Sequence, residues 1–342
     1  MAVRIAINGF GRIGRNVLRA GWGNPAFEFV HINDLTGADM LAYLLRRDTV
    51  HGTFSDGYRE RDVKAVEGGI SIDGTVVSVS AEKDPSKLPW KAKNVDVVLE
   101  CTGVFTSREQ LTVHLTAGAR KVILSAPAKS DADVDATIVM GVNDATYDGA
   151  KHNIVSNASC TTNCLAPVVK ALHDAIGIEH GLVTTVHSYT MDQNLLDAPH
   201  RKGDFRRARA AAANMVPSST GAAKAIGLVM PELKGKLNGM AMRVPTTDVS
   251  IVDLVFQAKR PTTKEEVNTA LEQAAAGSLK GILFATHEPL VSSDLVGNPY
   301  SSIADLELTQ VMAGNLVKVF SWYDNEWGFS CRMLDLSRKI AG

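Results

Sequence analysis

The stretch Val3-Arg4-Ile5-Ala6-Ile7-Asn8-Gly9-Phe10-Gly11-Arg12-Ile13-Gly14 constrains the fold more than any other part of the chain. Its first six residues read as a parallel strand buried on both faces. Three glycines in Gly-x-Gly-x-x-Gly spacing follow at once, and Arg15 to Ala20 then reads as a helix ending near Gly21. A second strand, Glu28 to Asn33, runs into Asp34, twenty residues past the last glycine. Strand, glycine turn, helix, strand and spaced acid make a βαβ unit of the Rossmann type, which binds a dinucleotide. The first glycine permits the tight turn, the second lets backbone approach a pyrophosphate, and the third lets helix pack on strand. The pyrophosphate would rest on the helix N-terminus. Asp34 would accept hydrogen bonds from the adenosine ribose, and its charge repels a 2′-phosphate, so NAD is expected rather than NADP.

The α/β rhythm continues. Met40 to Arg46 reads as a helix, and Gly69 to Val79 as a hairpin turning at Asp73-Gly74. Val95 to Gly103 reads as a strand with a polar end, Arg108 to Ala117 as a helix, and Lys121 to Pro127 and Thr137 to Asn143 as further strands. Ligands of parallel sheets bind at the carboxyl ends of strands, which places Gly9, Asp34, Thr102 and Ser125 around one crevice. Thr102 and Ser125 also suit ordinary strand-end turns.

Ser156-Asn157-Ala158-Ser159-Cys160-Thr161-Thr162-Asn163-Cys164 is the second informative stretch. A strand-like run leads into it, and a helix-like run, Leu165 to Ile176, leads out. A thiol at a helix start, among small residues that cap the helix or hold an anion, is expected to have a depressed pKa. A buried structural cysteine is the alternative. Cys160 and Cys164 lie one helical turn apart, but no other Cys or His cluster at ligand spacing completes a zinc site, so no metal is expected. His187 ends the strand-like run Leu182 to Thr190 and reads either as a structural residue or as a base.

Arg201, Lys202, Arg206, Arg207 and Arg209 form a basic run that suits solvated surface, nucleic acid, anion capture or a subunit interface. Pro217-Ser218-Ser219-Thr220-Gly221 resembles an anion nest before a small-residue helix. Gly239 to Lys259 reads as one long strand with a break near Pro245. Arg243 within it needs a partner, for which a bound anion is a candidate. Ile303 to Thr309 and Leu316 to Trp322 read as strands before a last helix. The chain of 342 residues therefore divides into an α/β Rossmann-type domain, residues 1–159 completed by the C-terminal helix 324–342, and a mixed α+β catalytic domain with a largely antiparallel sheet, residues 160–323. A net charge of −1 gives no global attraction to nucleic acid or membrane, and no apolar run is long enough to span a bilayer. The N-terminus reads straight into a strand, so no targeting segment is expected, and four cysteines fit a reducing cytoplasm.

Over its whole length the sequence resembles the phosphorylating glyceraldehyde-3-phosphate dehydrogenases. VRIAINGFGRIGR at 3–15, SNASCTTNCLAP at 156–167, TTVHSYT at 184–190, RRARAAAANMVPSSTGAAKA at 206–225, GKLNGMAMRVPT at 235–246 and SWYDNEWG at 321–328 carry the resemblance. It implies that Cys160 is the nucleophile and His187 its base. It implies backbone contacts from Arg12 and Ile13 to the pyrophosphate of NAD, with Gly9, Gly11 and Gly14 forming the turn. Asp34 matches the ribose contact, Lys83 and Ser125 match further cofactor positions, and Asn325 matches the contact to the nicotinamide amide. Thr190 and Arg243 match the site for the substrate phosphate. Ser159, Thr161, Thr220 and Gly221 match the site for inorganic phosphate, with Arg207 near both. The resemblance also implies a homotetramer that acts on glyceraldehyde 3-phosphate and inorganic phosphate through a Cys160 hemithioacetal and thioester. Lys83 stands where several members carry arginine, and Phe329 where tyrosine is common. Erythrose-4-phosphate dehydrogenase is the near alternative; a non-enzymatic nucleic-acid or surface-binding role is the distant one.

Overall fold

The computed structural model describes residues 1–342. The chain forms two compact units. Residues 1–138, 145–158 and 330–342 make the first, and residues 139–144 and 159–329 the second.

The first unit carries, in chain order, β1 (Val3–Asn8), α1 (Arg12–Gly21), β2 (Phe27–Asn33), α2 (Ala38–Arg46) and a small ladder of β3 (Arg47–Asp48) with β4 (Gly52–Thr53). There follow β5 (Val63–Val66), β6 (Gly69–Ile72), β7 (Thr75–Ser80), β8 (Val97–Glu100), α3 (Arg108–Thr116), β9 (Lys121–Leu124), β10 (Ala136–Thr137) and β11 (Ile154–Ser156). Nine strands form one sheet in the order β10-β11-β9-β8-β1-β2-β7-β6-β5. Neighbours from β10 to β7 run parallel, and the β5-β6-β7 meander is antiparallel. Asp73 and Gly74 both take positive φ, as the tight turn between β6 and β7 requires. Ile5, Ile7, Val97, Leu99, Val122 and Leu124 are fully buried, which is why these strands read as apolar runs. The chain proceeds from β1 to β2 on one side and places β8 on the other. The carboxyl end of β1 is therefore a topological switch point, where such sheets leave a crevice.

Buried polar bonds lock that end of the sheet. Trp90 Nε1 donates to His114 Nδ1 (3.1 Å), so the ring proton sits on Nε2 and points to Glu100 Oε2 at 3.2 Å. Glu100 also accepts from Asn8 Nδ2 at 2.6 Å and from the amide and hydroxyl of Thr102. Asn33 Nδ2 donates to Asn8 Oδ1 at 2.9 Å. The ends of β8, β1 and β2 are thereby tied side by side.

The strand expected over Thr137 to Asn143 is not formed. Only Ala136 and Thr137 pair, with β11. Ile138 and Val139 are buried, but Gly141 has φ +79 and the Val139 amide donates to Asn143 Oδ1, which closes a turn. The apolar run reflected burial, not extension.

The second unit carries α4 (Cys160–Ile176), β12 (Ile178–Ser188), β13 (Val216–Ser219), α5 (Ala222–Val229), β14 (Leu237–Val244), β15 (Ser250–Ala258), α6 (Lys264–Ala276), β16 (Leu283–Thr286), β17 (Ser302–Met312) and β18 (Leu316–Tyr323). Helix α7 (Trp327–Ile340) begins here and from Ser330 belongs to the first unit. Seven strands pair in the order β13-β14-β12-β15-β18-β17-β16. The sheet is mixed and mainly antiparallel, with parallel pairs at β12–β14 and β16–β17. Helix α4 packs across β12, β15, β18 and β17, α5 against β14, and α6 against β16 and β17. The single long strand expected over 239–259 is two strands on opposite sides of β12. Pro245 lacks the N–H that would continue the ladder, and the 245–249 link crosses over β12.

Candidate active site

In the first unit the three glycines differ in what surrounds them. Gly9 has φ +94, and a Cβ there would lie 2.6 Å from Thr102 N. A Cβ on Gly14 would lie 2.3 Å from the Gly9 carbonyl oxygen, so helix and strand touch at that point. A Cβ on Gly11 would meet nothing within 4 Å. Gly11 borders open space and is itself the N-cap of α1, so no side chain caps that helix, and its first turn carries no acid. An anion is the natural partner for those amides. A cavity of about 380 Å³ opens there, lined among others by Gly9, Gly11, Asp34, Lys83 and Thr102. Asp34 accepts from the Phe10 amide through Oδ2 (2.8 Å) and the Thr36 amide through Oδ1 (2.9 Å), which fixes the carboxylate at the rim. Arg12 turns its side chain to Asp48, so Arg12 and Ile13 offer backbone. Burial opposes ionisation of Asp48, but Arg12 and the His51 and Val50 amides outweigh it and hold the carboxyl at about 2. Ser125 stands apart from this lining: it follows β9 and hydrogen-bonds the Cys101 thiol. An uncapped helix start, a space that a Cβ on Gly11 would enter and a fixed acid fit NAD.

In the second unit Cys160 is the first residue of α4. Ser159 is its N-cap in extended conformation, and its Oγ accepts from the Thr162 amide at 3.0 Å. His187 closes β12 and is 3% exposed. Its Nε2 lies 3.6 Å from Cys160 Sγ. Tyr323, at the end of β18, meets the His187 ring edge-on and bridges Thr161 Oγ1 (2.9 Å) and Thr185 Oγ1 (2.8 Å). The Thr161 hydroxyl therefore anchors α4 to the sheet and is already engaged. Parallel pairing of β12 with β14 sets Arg243 beside His187 in register. Arg243 Nη1 lies 2.7 Å from His187 Nδ1 and donates to the Ser188 carbonyl at 3.0 Å. Arg207 pairs with Asp192 and approaches Ser218 Oγ at 3.5 Å, while Thr190 Oγ1 donates to Asp192. Thr220 Oγ1 accepts from the Ala222 amide and Gly221 caps α5, so the nest expected over 217–221 ends at a helix start. Asn325 Oδ1 accepts from Ser250 Oγ at 2.7 Å, which fixes its carboxamide.

The depressed Cys160 pKa expected from the helix start is not found. Burial pushes the thiol above its ordinary value, and Arg243 and the Thr161 hydrogen bonds only partly offset this. Burial, reinforced by Arg243, pushes His187 down to about 3. Burial thus works against a standing charge on either group taken alone, and the two lie close enough to exchange a proton.

Two family models match the chain: glyceraldehyde 3-phosphate dehydrogenase NAD binding domain over residues 3–108, and the C-terminal domain over residues 159–325. Glyceraldehyde-3-phosphate dehydrogenase 1 of Bacillus subtilis is 57% identical over 341 residues, covering 100% of this chain and 99% of its own. The Priestia megaterium glyceraldehyde-3-phosphate dehydrogenase is also 57% identical, and that of Geobacillus stearothermophilus 56%, with the same coverage. The chain belongs to the glyceraldehyde-3-phosphate dehydrogenase family.

Within this family frame, several residues at the site carried no signal in the sequence. Asp192 lies in a polar stretch where an acid is unremarkable, yet it pairs with Arg207 and with Thr190. Ser250 sits in an ordinary strand position, and Tyr323, though inside the 321–328 motif, shows no role until pairing across the sheet brings the two to Asn325 and His187. Two of the five cations of the basic run are paired: Arg207, which also reaches Asp204, and Arg209, with Asp197.

Proposed function

We propose that this protein oxidises glyceraldehyde 3-phosphate with NAD and inorganic phosphate, releasing an acyl phosphate, as a cytoplasmic homotetramer. It is an NAD-dependent oxidoreductase of the glyceraldehyde-3-phosphate dehydrogenase type, acting in glycolysis. The observation that carries the chemistry is the Cys160 sulfur at the start of α4, 3.6 Å from His187 Nε2. We assign cofactor binding to the first unit and covalent chemistry to the second. NAD, when bound, supplies the hydride acceptor.

The chain's own residues do the rest. His187 Nε2 takes the Cys160 proton as sulfur bonds to the aldehyde carbon, then returns it to the new oxyanion to give a hemithioacetal. The same nitrogen removes the hydroxyl proton as hydride leaves, and Cys160 is left as a thioester. The Cys160 amide, in the first turn of α4, is placed to stabilise the oxyanion. Phosphate attacks the thioester carbon, the C–S bond breaks, and the imidazolium returns its proton to sulfur. Thr190 and Arg243 are assigned to the substrate phosphate. Ser159, Thr220, Gly221 and the Thr161 amide are assigned to inorganic phosphate, with Arg207 between the two. Because the Thr161 hydroxyl is engaged by Tyr323, only its backbone enters this assignment.

Support for the tetramer comes from apolar surface. Leu182 is 68% exposed on the sheet, and Met191, Leu195, Leu196, Phe205 and Met215 stand out of the 191–215 segment. Such a concentration marks an interface. For the cytoplasm, all four cysteines are free thiols and no helix is long and apolar enough to cross a membrane. The test is mass spectrometry of the protein mixed with NAD and substrate in the absence of phosphate. A glyceroyl phosphate adduct on Cys160 that disappears on adding phosphate is expected; an adduct elsewhere, or one that phosphate does not discharge, would sink the scheme.

A further inference from the structure

The carboxamide of Asn325 is 5% exposed and is held at one end only. Its Oδ1 accepts from Ser250 Oγ at 2.7 Å, and its Nδ2 makes no hydrogen bond within the protein. Ser250 is 1% exposed, and its hydroxyl makes two contacts. It accepts from the Ser188 amide at 3.1 Å and donates to Asn325. A backbone N–H can only donate, so the single hydroxyl proton of Ser250 is left for Oδ1. With the carboxamide turned round, that buried proton would have no acceptor, which is the costly way to bury a polar group. Asn325 therefore keeps Oδ1 toward Ser250 and has both N–H donors left to offer.

The backbone that presents Ser250 is strained. Val249, just before it, has φ +64, a left-handed conformation that a β-branched residue keeps only where its surroundings hold it. Ser188 Oγ holds it by donating to the Val249 carbonyl at 2.7 Å, and it lies 2.7 Å from Thr246 Oγ1. The residue after His187 thus secures the Ser250 link through both its hydroxyl and its amide. Ser188, Ser250 and Asn325 all belong to the second unit.

We propose that Ser250 is a positioning residue that aims and polarises Asn325, so that the protein holds the nicotinamide carboxamide more tightly in the reduced cofactor than in the oxidised one. This rests on the assignment of Asn325 to the nicotinamide amide, on which Nδ2 donates to the cofactor carbonyl. In the chain Ser O–H···O=C–N–H, accepting a hydrogen bond at Oδ1 makes Nδ2 a stronger donor. The acceptor strength of that carbonyl depends on redox state. An oxidised ring is a cation and draws electrons away from the carbonyl. Once hydride has joined C4, the N1 lone pair conjugates with the carbonyl and enriches its oxygen in charge. A polarised Asn325 therefore favours the reduced ring, and Ser250 sets by how much.

Calorimetric titration of NAD and of NADH into wild type, Ser250→Ala and Asn325→Ala tests this without turnover. Ser250→Ala should weaken NADH about tenfold and NAD about twofold, the scale of one hydrogen bond to a charge-enriched oxygen. A merely structural serine would weaken both forms alike, so equal losses, or no loss in either, would overturn the proposal. Infrared spectra of wild type with cofactor isotope-labelled at the carboxamide carbonyl give a readout that does not depend on a variant folding. The carbonyl stretch of bound NADH should lie below its value in water; a stretch at or above that value would overturn the proposal. The assignment beneath it has its own readout. If Asn325→Ala leaves both affinities unchanged, Asn325 is not the nicotinamide contact. If Asn325→Ala weakens NADH selectively and Ser250→Ala does not, the contact stands and the role of Ser250 fails.

Discussion

At the scale of single residues, environment decides what each functional group does. Burial pushes the Cys160 thiol up, and Arg243 and Thr161 offset this only in part. Alkylation of the substrate-free protein should therefore rise with pH along a limb lying above the ordinary cysteine value, without a plateau near neutrality. A rate already at its plateau near neutral pH would show a standing thiolate instead. His187 is held uncharged down to about 3. Its folded pKa lies below the unfolded value, so its neutral form contributes stability above about pH 6.5 that is lost as pH falls toward 3. In acid denaturation, His187→Asn should flatten the pH dependence of stability in that window by up to one proton; an unchanged slope would contradict the buried neutral imidazole. Asp34 offers a test of cofactor choice. Asp34→Gly should narrow the preference for NAD over NADP, measured as the ratio of kcat/KM, because the charge that repels a 2′-phosphate is gone.

At the scale of elements, local signals were legible and cross-sheet ones were not. The β1–glycine–α1–β2 unit was readable because each glycine answers a local need, and the structure distinguishes those needs. Gly14→Ala should disturb folding, since its Cβ would sit 2.3 Å from the Gly9 carbonyl oxygen. Gly11→Ala meets open space and should leave thermal stability near wild type while sharply weakening NAD affinity in a titration. Equal stability losses in the two would contradict the cradle. The Ser159 cap was likewise legible, and Ser159→Ala should cost about 1 kcal/mol in urea unfolding. The turn at 138–143 was misread because burial alone makes an apolar run. The crossover after Pro245 was invisible because nothing local says that β12 lies between β14 and β15. The pairing of Arg243 with His187 follows from that crossover, since only parallel registration of β14 with β12 brings them together. The raised Cys160 pKa escaped for the same reason: a helix start is local, but the surroundings that bury the sulfur come from distant strands.

At the scale of the whole molecule, the proposed scheme gives the Rossmann-type sheet the cofactor and the mixed sheet the making and breaking of a covalent bond to substrate. The sheet face bearing Leu182 and the apolar residues of the 191–215 segment need covering in solution. Sedimentation equilibrium should give four times the 36.6 kDa chain mass, and a stable monomer would leave that surface unexplained. The central claim concerns the fate of a thioester, and stopped-flow NADH formation with glyceraldehyde 3-phosphate tests it most directly. Without phosphate, a burst stoichiometric with Cys160 followed by near arrest is expected, and added phosphate should restore steady turnover. Sustained turnover without phosphate at the same rate, or no burst at all, would contradict the account.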